Sequence, residues 1–306
     1  MERLRHSSGT AERPVIAGPG LQVQEARFAW LMISPSLLVL LLIGTAPLVA
    51  LLGMSVMRID LAGTQPNAFV GTDNFVRMAS DSRFWHSLNI MLVYTVSSVL
   101  LQLVVGLALA LALLRPIRGQ RLLRVAILLP MILAPVVVGL AWRTLILTPD
   151  YGIADAIVQA LGFGSQPWLT DARWALVSVI AIHTWQWTPF AFLVFTATLH
   201  ALPQEPFEAA MIDGANAWQR FRDLTLPLLW PTILVIVILR TMIALRAFDA
   251  IFSATGGGPG TATEILNLYA YRVSFTNLTL GYGAALAFVL LAVTAVISFA
   301  LFRLRD

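Results

Sequence analysis

The sequence predicts an all-α integral membrane protein with six transmembrane helices, a cytoplasmic helical loop, and both termini in the cytoplasm. Three observations predict it. Of the 306 residues, 58% are hydrophobic and 12% charged, with a mean hydropathy of +0.80. So much apolar side chain cannot be hidden in one soluble core and belongs in lipid. Apolar runs long enough to cross a bilayer, about 20 residues each, recur six times along the chain. Finally, an N-in arrangement puts twelve of the twenty arginines on the cytoplasmic side and most loop aspartates outside, as the positive-inside bias requires.

Residues 1–27 are polar, carry Arg3, Arg5, Arg13 and Arg27, and read as a flexible cytoplasmic tail. The apolar run 28–57 that follows is too long for the h-region of a cleaved signal peptide, which reaches about 15 residues, and is the first span. A mixed polar loop leads to the second span at 85–114. That span ends on Arg115, Arg118, Arg121 and Arg124, four arginines and no acid within ten residues. The third runs to Leu147 and should kink at Pro130 and Pro135, each of which removes a backbone donor. A loop with Asp150, Asp155 and Asp171 precedes the fourth span, 174–199; the fifth is 228–253 and the sixth 282–302. Residues 28–306 thus form one membrane domain.

Between the fourth and fifth spans lies a loop, about 203–231, whose central stretch Glu208–Pro231 is rich in helix formers and charge. It reads as short amphipathic helices exposed on one side of the membrane, and therefore as a docking surface. A helix starting near Glu205 should break at Gly214, because glycine tolerates the positive φ of a helix cap. Leu226-Pro227 should close a second short helix, since the residue before proline disfavours the α region. Arg220, Arg222 and Asp223 fall on its wet face.

These residues carry a resemblance. Glu208-Ala209-Ala210, Gly214 six residues after the glutamate, and Leu226-Pro227 resemble the EAA loop of the membrane subunits of bacterial ABC importers, with Leu224 standing where isoleucine is usual. Trp185-Gln186-Trp187-Thr188-Pro189-Phe190, Leu202-Pro203 and Thr255-Gly256-Gly257-Gly258-Pro259 are similar to the carbohydrate branch, the maltose and glycerol-phosphate permease type. Together they cover roughly residues 28–303. The resemblance implies a non-catalytic transport subunit of the bacterial inner membrane, forming the path for a sugar or polyol by alternating access. It implies that Glu208, Ala209, Ala210, Met211, Asp213, Gly214, Leu226 and Pro227 dock an ATPase. Its implied partners are two ATP-binding subunits holding ATP and Mg, a second permease subunit of different sequence, and an extracytoplasmic solute-binding protein.

The residues themselves limit the chemistry. A phosphate-binding loop of the GxxxxGK[ST] kind needs a lysine, and the chain has none. No cysteine, serine elbow, carboxylate pair or His-Glu-x-x-His pattern suggests catalysis or a metal site, and the arginines form no continuous basic face for nucleic acid. The Gly256–Pro259 stretch reads as a turn rather than a phosphate cradle. Inside the fifth span, Arg240, Arg246 and Asp249 are charges that must face protein or water, each costing roughly 2.5–3.5 kcal/mol at the bilayer centre. Arg246 and Asp249, three apart, should share a helix face and pair, either lining a substrate path or holding the helix to a neighbour. Trp185 and Trp187 are candidate platforms for sugar rings, or ordinary packing. An ion-coupled secondary transporter, which would use Asp249 as its ion site, and an amino-acid or other ABC permease are the alternatives.

Overall fold

The computed structural model describes residues 19–303, with side chains from residue 27 onward. The first unit, Met1–Ala50, contributes most of helix α1, Pro19–Ser55. The tail expected over 1–27 lies largely outside the described residues; its last part, from Pro19, already belongs to α1. Within α1, Arg27–Ser55 is long and apolar enough to cross a membrane.

The second unit, Leu51–Asp306, holds the remaining elements. A two-stranded antiparallel hairpin, β1 Met57–Arg58 with β2 Ala68–Phe69, and helix α2, Asp73–Ser80, occupy the loop after the first span. Helices α3, Ser82–Ala112, and α7, Ala172–Ala201, pack side by side through its centre. Their approach is close: a Cβ on Gly106 would stand 2.7 Å from the Ala191 Cβ, the small-residue contact that lets membrane helices touch. Both begin on an aspartate, Asp81 and Asp171, whose carboxylate accepts the first free N–H groups.

The third span is broken rather than kinked. Helix α4, Gln120–Leu128, runs through a 3₁₀ turn to Ile132; helix α5, Pro135–Ala141, runs through a π turn to Ile146, and the two halves meet at 104°. Leu133 and Ala134 are extended, as the residue before Pro135 must be. The carbonyl freed at Leu133 accepts from Gln186 Nε2 at 3.1 Å, which keeps it satisfied inside the bundle. Among the described residues, five helices are thus long and apolar enough to span, and six if the bent pair is one span.

The loop after it is organised by one residue. Asp155 sits near the start of helix α6, Ile153–Ala160, fully buried. Its Oδ2 accepts from the Asp150 N–H at 2.7 Å and Gln159 Nε2 at 2.8 Å; its Oδ1 accepts from the Gln166 N–H at 2.8 Å and Trp168 Nε1 at 2.9 Å. These bonds, the Gln166 N–H foremost, hold its carboxyl well below the ordinary carboxylate range against the opposing effect of burial. A depressed carboxyl stabilises above its unfolded pKa, about 3.9, and that stability disappears as pH falls through the lower folded value. We therefore expect the amides of Asp150 and Gln166 to stay protected from hydrogen exchange until the pH is below about 4. Asp155→Asn keeps one accepting oxygen but turns an NH₂ toward the donors on the other, so it should deprotect one of the two amides at least about tenfold at neutral pH; unchanged exchange at both would count against the pinning role.

The loop past the fifth span closes on a second carboxylate. Glu264, fully buried, pairs with Arg83 Nε at 2.6 Å and Arg272 Nη1 at 2.5 Å. Arg272 Nη2 also donates to the Gly256 carbonyl. That ties helix α12, Leu266–Tyr271, and the π turn after it to the Gly256–Pro259 turn and to the start of α3. Gly257, at φ +91, brings a backbone corner so near Leu268 that a Cβ would stand 2.7 Å from its Cδ2. The stretch is a packed turn, as the sequence suggested. Helix α13, Leu280–Arg303, completes the chain as the sixth span.

Candidate functional site

Two regions contain the residues singled out from the sequence. In the first, helix α8 covers Glu205–Ile212, with Glu205 and Glu208 in its first turn, where the helix dipole favours an acid. It ends where expected. Gly214 has φ +81, its N–H donates to the Met211 carbonyl at 3.1 Å, and the Ala215 N–H donates to Ala210 at 2.9 Å. That pair of reverse bonds is a Schellman cap, which requires a left-handed residue. Glu208, Ala209, Met211, Asp213 and Gly214 are exposed, while Ala210 is half-buried.

The second half of the loop departs from expectation. Asn216 and Gln219 form a reciprocal capping box, 2.8 and 2.9 Å, that starts helix α9, Ala217–Arg220. Leu226-Pro227 does not close a second helix: α9 passes through a π turn, Phe221–Thr225, directly into helix α10, Leu226–Ala244. The wider π turn ends just before Pro227, so the irregular turn and not a helix end accommodates the ring and its missing N–H. Arg222 pairs loosely with Asp223 at 3.8 Å, both exposed. Two residues passed over in the sequence stand out here. Ile212 is 87% and Trp218 67% exposed, two large apolar side chains left uncovered in this loop. Apolar residues within a polar loop were the available signal.

The second region lies between α7 and α10. The fifth span is not continuous to Ser253. Helix α10 ends at Ala244 and helix α11, Asp249–Ala254, restarts after a break at which Asn267 Nδ2 donates to the Leu245 and Ala247 carbonyls at 3.4 and 3.0 Å. The break removes the shared helix face, so Arg246 and Asp249 do not pair; Arg246 Nε donates instead to the Met242 carbonyl at 3.2 Å. Both nevertheless face one cavity of about 140 Å³ together with His183, Gln186 and Trp187. Trp185 is not among them: it lies in a separate apolar groove, edge-on to Trp142 at 5.5 Å.

Behind the cavity, Arg240 is fully buried. Its Nε donates to Gln102 Oε1 at 2.8 Å, Nη2 approaches His183 Nε2 at 3.2 Å, and its guanidinium lies 4.4 Å from the Trp187 ring centre. Arginine only donates, so His183 Nε2 accepts and the neutral ring keeps its proton on Nδ1. One cation thereby joins α3, α7 and α10 around the wall of the cavity. The arrangement offers an aromatic face, an amide, a guanidinium and a carboxylate, groups suited to binding a polar solute; it has no nucleophile with an attendant base.

The family profile described as the inner membrane component of binding-protein-dependent transport systems matches residues 102–305. The chain belongs to this family. It is an inner-membrane transport component, a permease whose described spans agree with that assignment. The permease is 36% identical over 285 residues to the trehalose/maltose transport system permease protein of Thermococcus litoralis, covering 93% of this chain and 95% of the relative. It is 34% identical over 276 residues to the sulfoquinovosyl glycerol transport system permease protein of Agrobacterium fabrum, covering 90% and 89%. The trehalose transport system permease protein of Mycobacterium tuberculosis is 32% identical over 290 residues, covering 95% and 92%. In fold, the permease matches a crystal structure of a bacterial ABC transporter involved in import of the acidic polysaccharide alginate, with a TM-score of 0.78 at 21% identity over 94% of this chain and 97% of the other.

Proposed function

We propose that the permease forms, with a second permease subunit of different sequence, the path by which a sugar or related polyol enters the cell. The observation that carries the sugar reading is the similarity, at 32–36% identity over at least 90% of the chain, to permeases named for trehalose, maltose and sulfoquinovosyl glycerol transport. An extracytoplasmic solute-binding protein delivers the solute, in keeping with the family's description. Two ATP-binding subunits grip the 203–231 loops from the cytoplasm, holding ATP and Mg that this lysine-free chain does not bind itself. The arginine distribution supports N-in and C-in, which puts the loop on their side.

The solute path runs past Trp187, Arg246 and Asp249. At about 140 Å³ the cavity there is below the roughly 300–1,000 Å³ of small-molecule sites. The break between α10 and α11 gives the wall a place to move, and the path widens when the ATP-binding subunits drive the alternate state. Aromatic rings suit the apolar faces of sugar rings, and Arg246 and Asp249 offer a donor and an acceptor to hydroxyls. Trp187→Ala is expected to lower sugar uptake at least about tenfold, a loss of ~1.4 kcal/mol, while the assembled complex is retained; unaltered uptake would remove Trp187 from the path.

Gentle detergent purification of the tagged chain from its host tests the assembly. Recovery of an ATP-binding subunit and a second permease, lost when Glu208 and Gly214 are replaced, is expected. A chain recovered alone, with uptake that survives ATP depletion but not an ionophore, would make it an ion-coupled transporter with Asp249 as its ion site.

A further inference from the structure

Helix α4 and the loop leading into it carry charge that the described residues leave unpaired. Arg115, Arg118, Arg121 and Arg124 fall within ten residues, and no Asp or Glu occurs between Asp81 and Asp150. Among the described residues, none of the four takes part in an ion pair. Arg124 is half-buried, and its Nε is shut off from solvent without a hydrogen-bond partner. An unsatisfied charged donor of this kind is costly, and an outside acceptor would meet the guanidinium at its Nη atoms, which are not closed off. The helix and the 3₁₀ turn after it also expose aliphatic side chains, with Leu122 77%, Val125 62% and Leu129 56% exposed. A short helix that exposes arginines together with aliphatic residues suits a membrane surface, where the aliphatic groups meet acyl chains and the guanidinium groups meet headgroups.

Beside it runs an open groove of about 500 Å³ between α3, α4 and α7, lined by Leu101, Val105, Ala126, Ile127 and Trp185, and polar only at Thr184 and Thr188. Ile127, which lines the groove, follows Arg124 by three residues and so neighbours it on the helix surface, about 4.5 Å along the axis. A cationic donor without an acceptor thus stands at the edge of an apolar trough in a protein surrounded by lipid. A neutral chain would fill the trough but leave Arg124 unsatisfied; a zwitterionic headgroup would bring its own cation against the arginines. A phospholipid with net negative charge answers both features.

We infer that Arg121 and Arg124 together with this groove form a binding site for one anionic phospholipid, its phosphate on the two guanidinium groups and an acyl chain along Ala126, Ile127 and Trp185. The site gives Trp185 a lipid contact in place of a solute contact.

The test uses the full chain in phosphatidylcholine nanodiscs, alone and with its co-purified subunits, doped at equal mole fraction with phosphatidylglycerol or phosphatidylcholine brominated in the tails. Tryptophan emission is expected to be quenched more strongly by the brominated phosphatidylglycerol, and Trp185→Phe to abolish the difference. At about fivefold per arginine near an anionic headgroup, Arg121→Gln with Arg124→Gln should lower the phosphatidylglycerol preference by about 25-fold. Equal quenching by the two lipids in the unsubstituted chain, which needs no variant to fold, would overturn the site. So would an unchanged preference in the double variant. Quenching present in the isolated chain but absent from the assembled complex would assign the groove to a partner subunit and overturn it too.

Discussion

A Gly214→Trp variant is expected to reach the membrane at wild-type abundance and to lose ATP-dependent uptake by at least about tenfold, ~1.4 kcal/mol of docking free energy. The reason is local. At φ +81 an L-residue pays left-handed strain of roughly 1–2 kcal/mol. No atom lies within 4 Å of where a Cβ would stand, so the side chain leaves the backbone into open space. It would project from the end of α8, next to Met211 and the exposed Ile212, into the surface proposed to sit against an ATP-binding subunit. Gly214→Ala pays the same strain without the bulk and separates the two effects: uptake near normal in Ala but lost in Trp marks a steric block at an interface. Normal transport by the Trp variant would remove this loop end from the docking surface.

Glu264→Gln is expected to be the most destabilising single change at the loop following the fifth span, by about 3 kcal/mol. Removing one partner of a buried ion pair costs roughly 3–5 kcal/mol, because the remaining charge is left uncompensated. The lower end applies here, since the Arg83 and Arg272 side chains are 40% and 30% exposed and can recover some hydration. The substituted amide would still accept one hydrogen bond but would present an NH₂ to a second guanidinium. Loss of the cluster unties the Gly256–Pro259 turn from α12 and from the start of α3. The measurement is the melting temperature of the purified protein in nanodiscs, with Glu264→Asp, which keeps the charge, as the milder comparison. Equal melting of Glu264→Gln and the unsubstituted protein would show that the arginines suffice alone.

Much of this was legible in the chain. Hydropathy and span length gave the six-span, all-α class because lipid admits no other way to satisfy so many backbone groups in apolar segments. Gly214 was readable as a helix end because a left-handed cap has few residue choices. The structure places Trp187, Arg246 and Asp249 around one cavity, although the pairing that grouped the last two does not form. The misses in the third and fifth spans share a physical origin. Spacing rules assume a continuous helix, and this chain breaks its helices inside the membrane wherever another side chain takes over the backbone's bonds: Gln186 on the Leu133 carbonyl, Asn267 on the Leu245 and Ala247 carbonyls. Neither acceptor is near its donor in sequence, so neither break could be seen locally. The same holds for His183 and Gln102 on Arg240, brought from 57 and 138 residues away.

By itself the sequence determined that the protein resides in the membrane, how many times its apolar runs can cross, and where one exposed helix must cap, since these depend on solvent and local backbone preference alone. Only the tertiary structure decided where the spans break, which tryptophan joins the polar cavity and which the apolar groove, and which residues a fully buried arginine meets, because each is set by hydrogen bonds and packing between residues far apart in the chain.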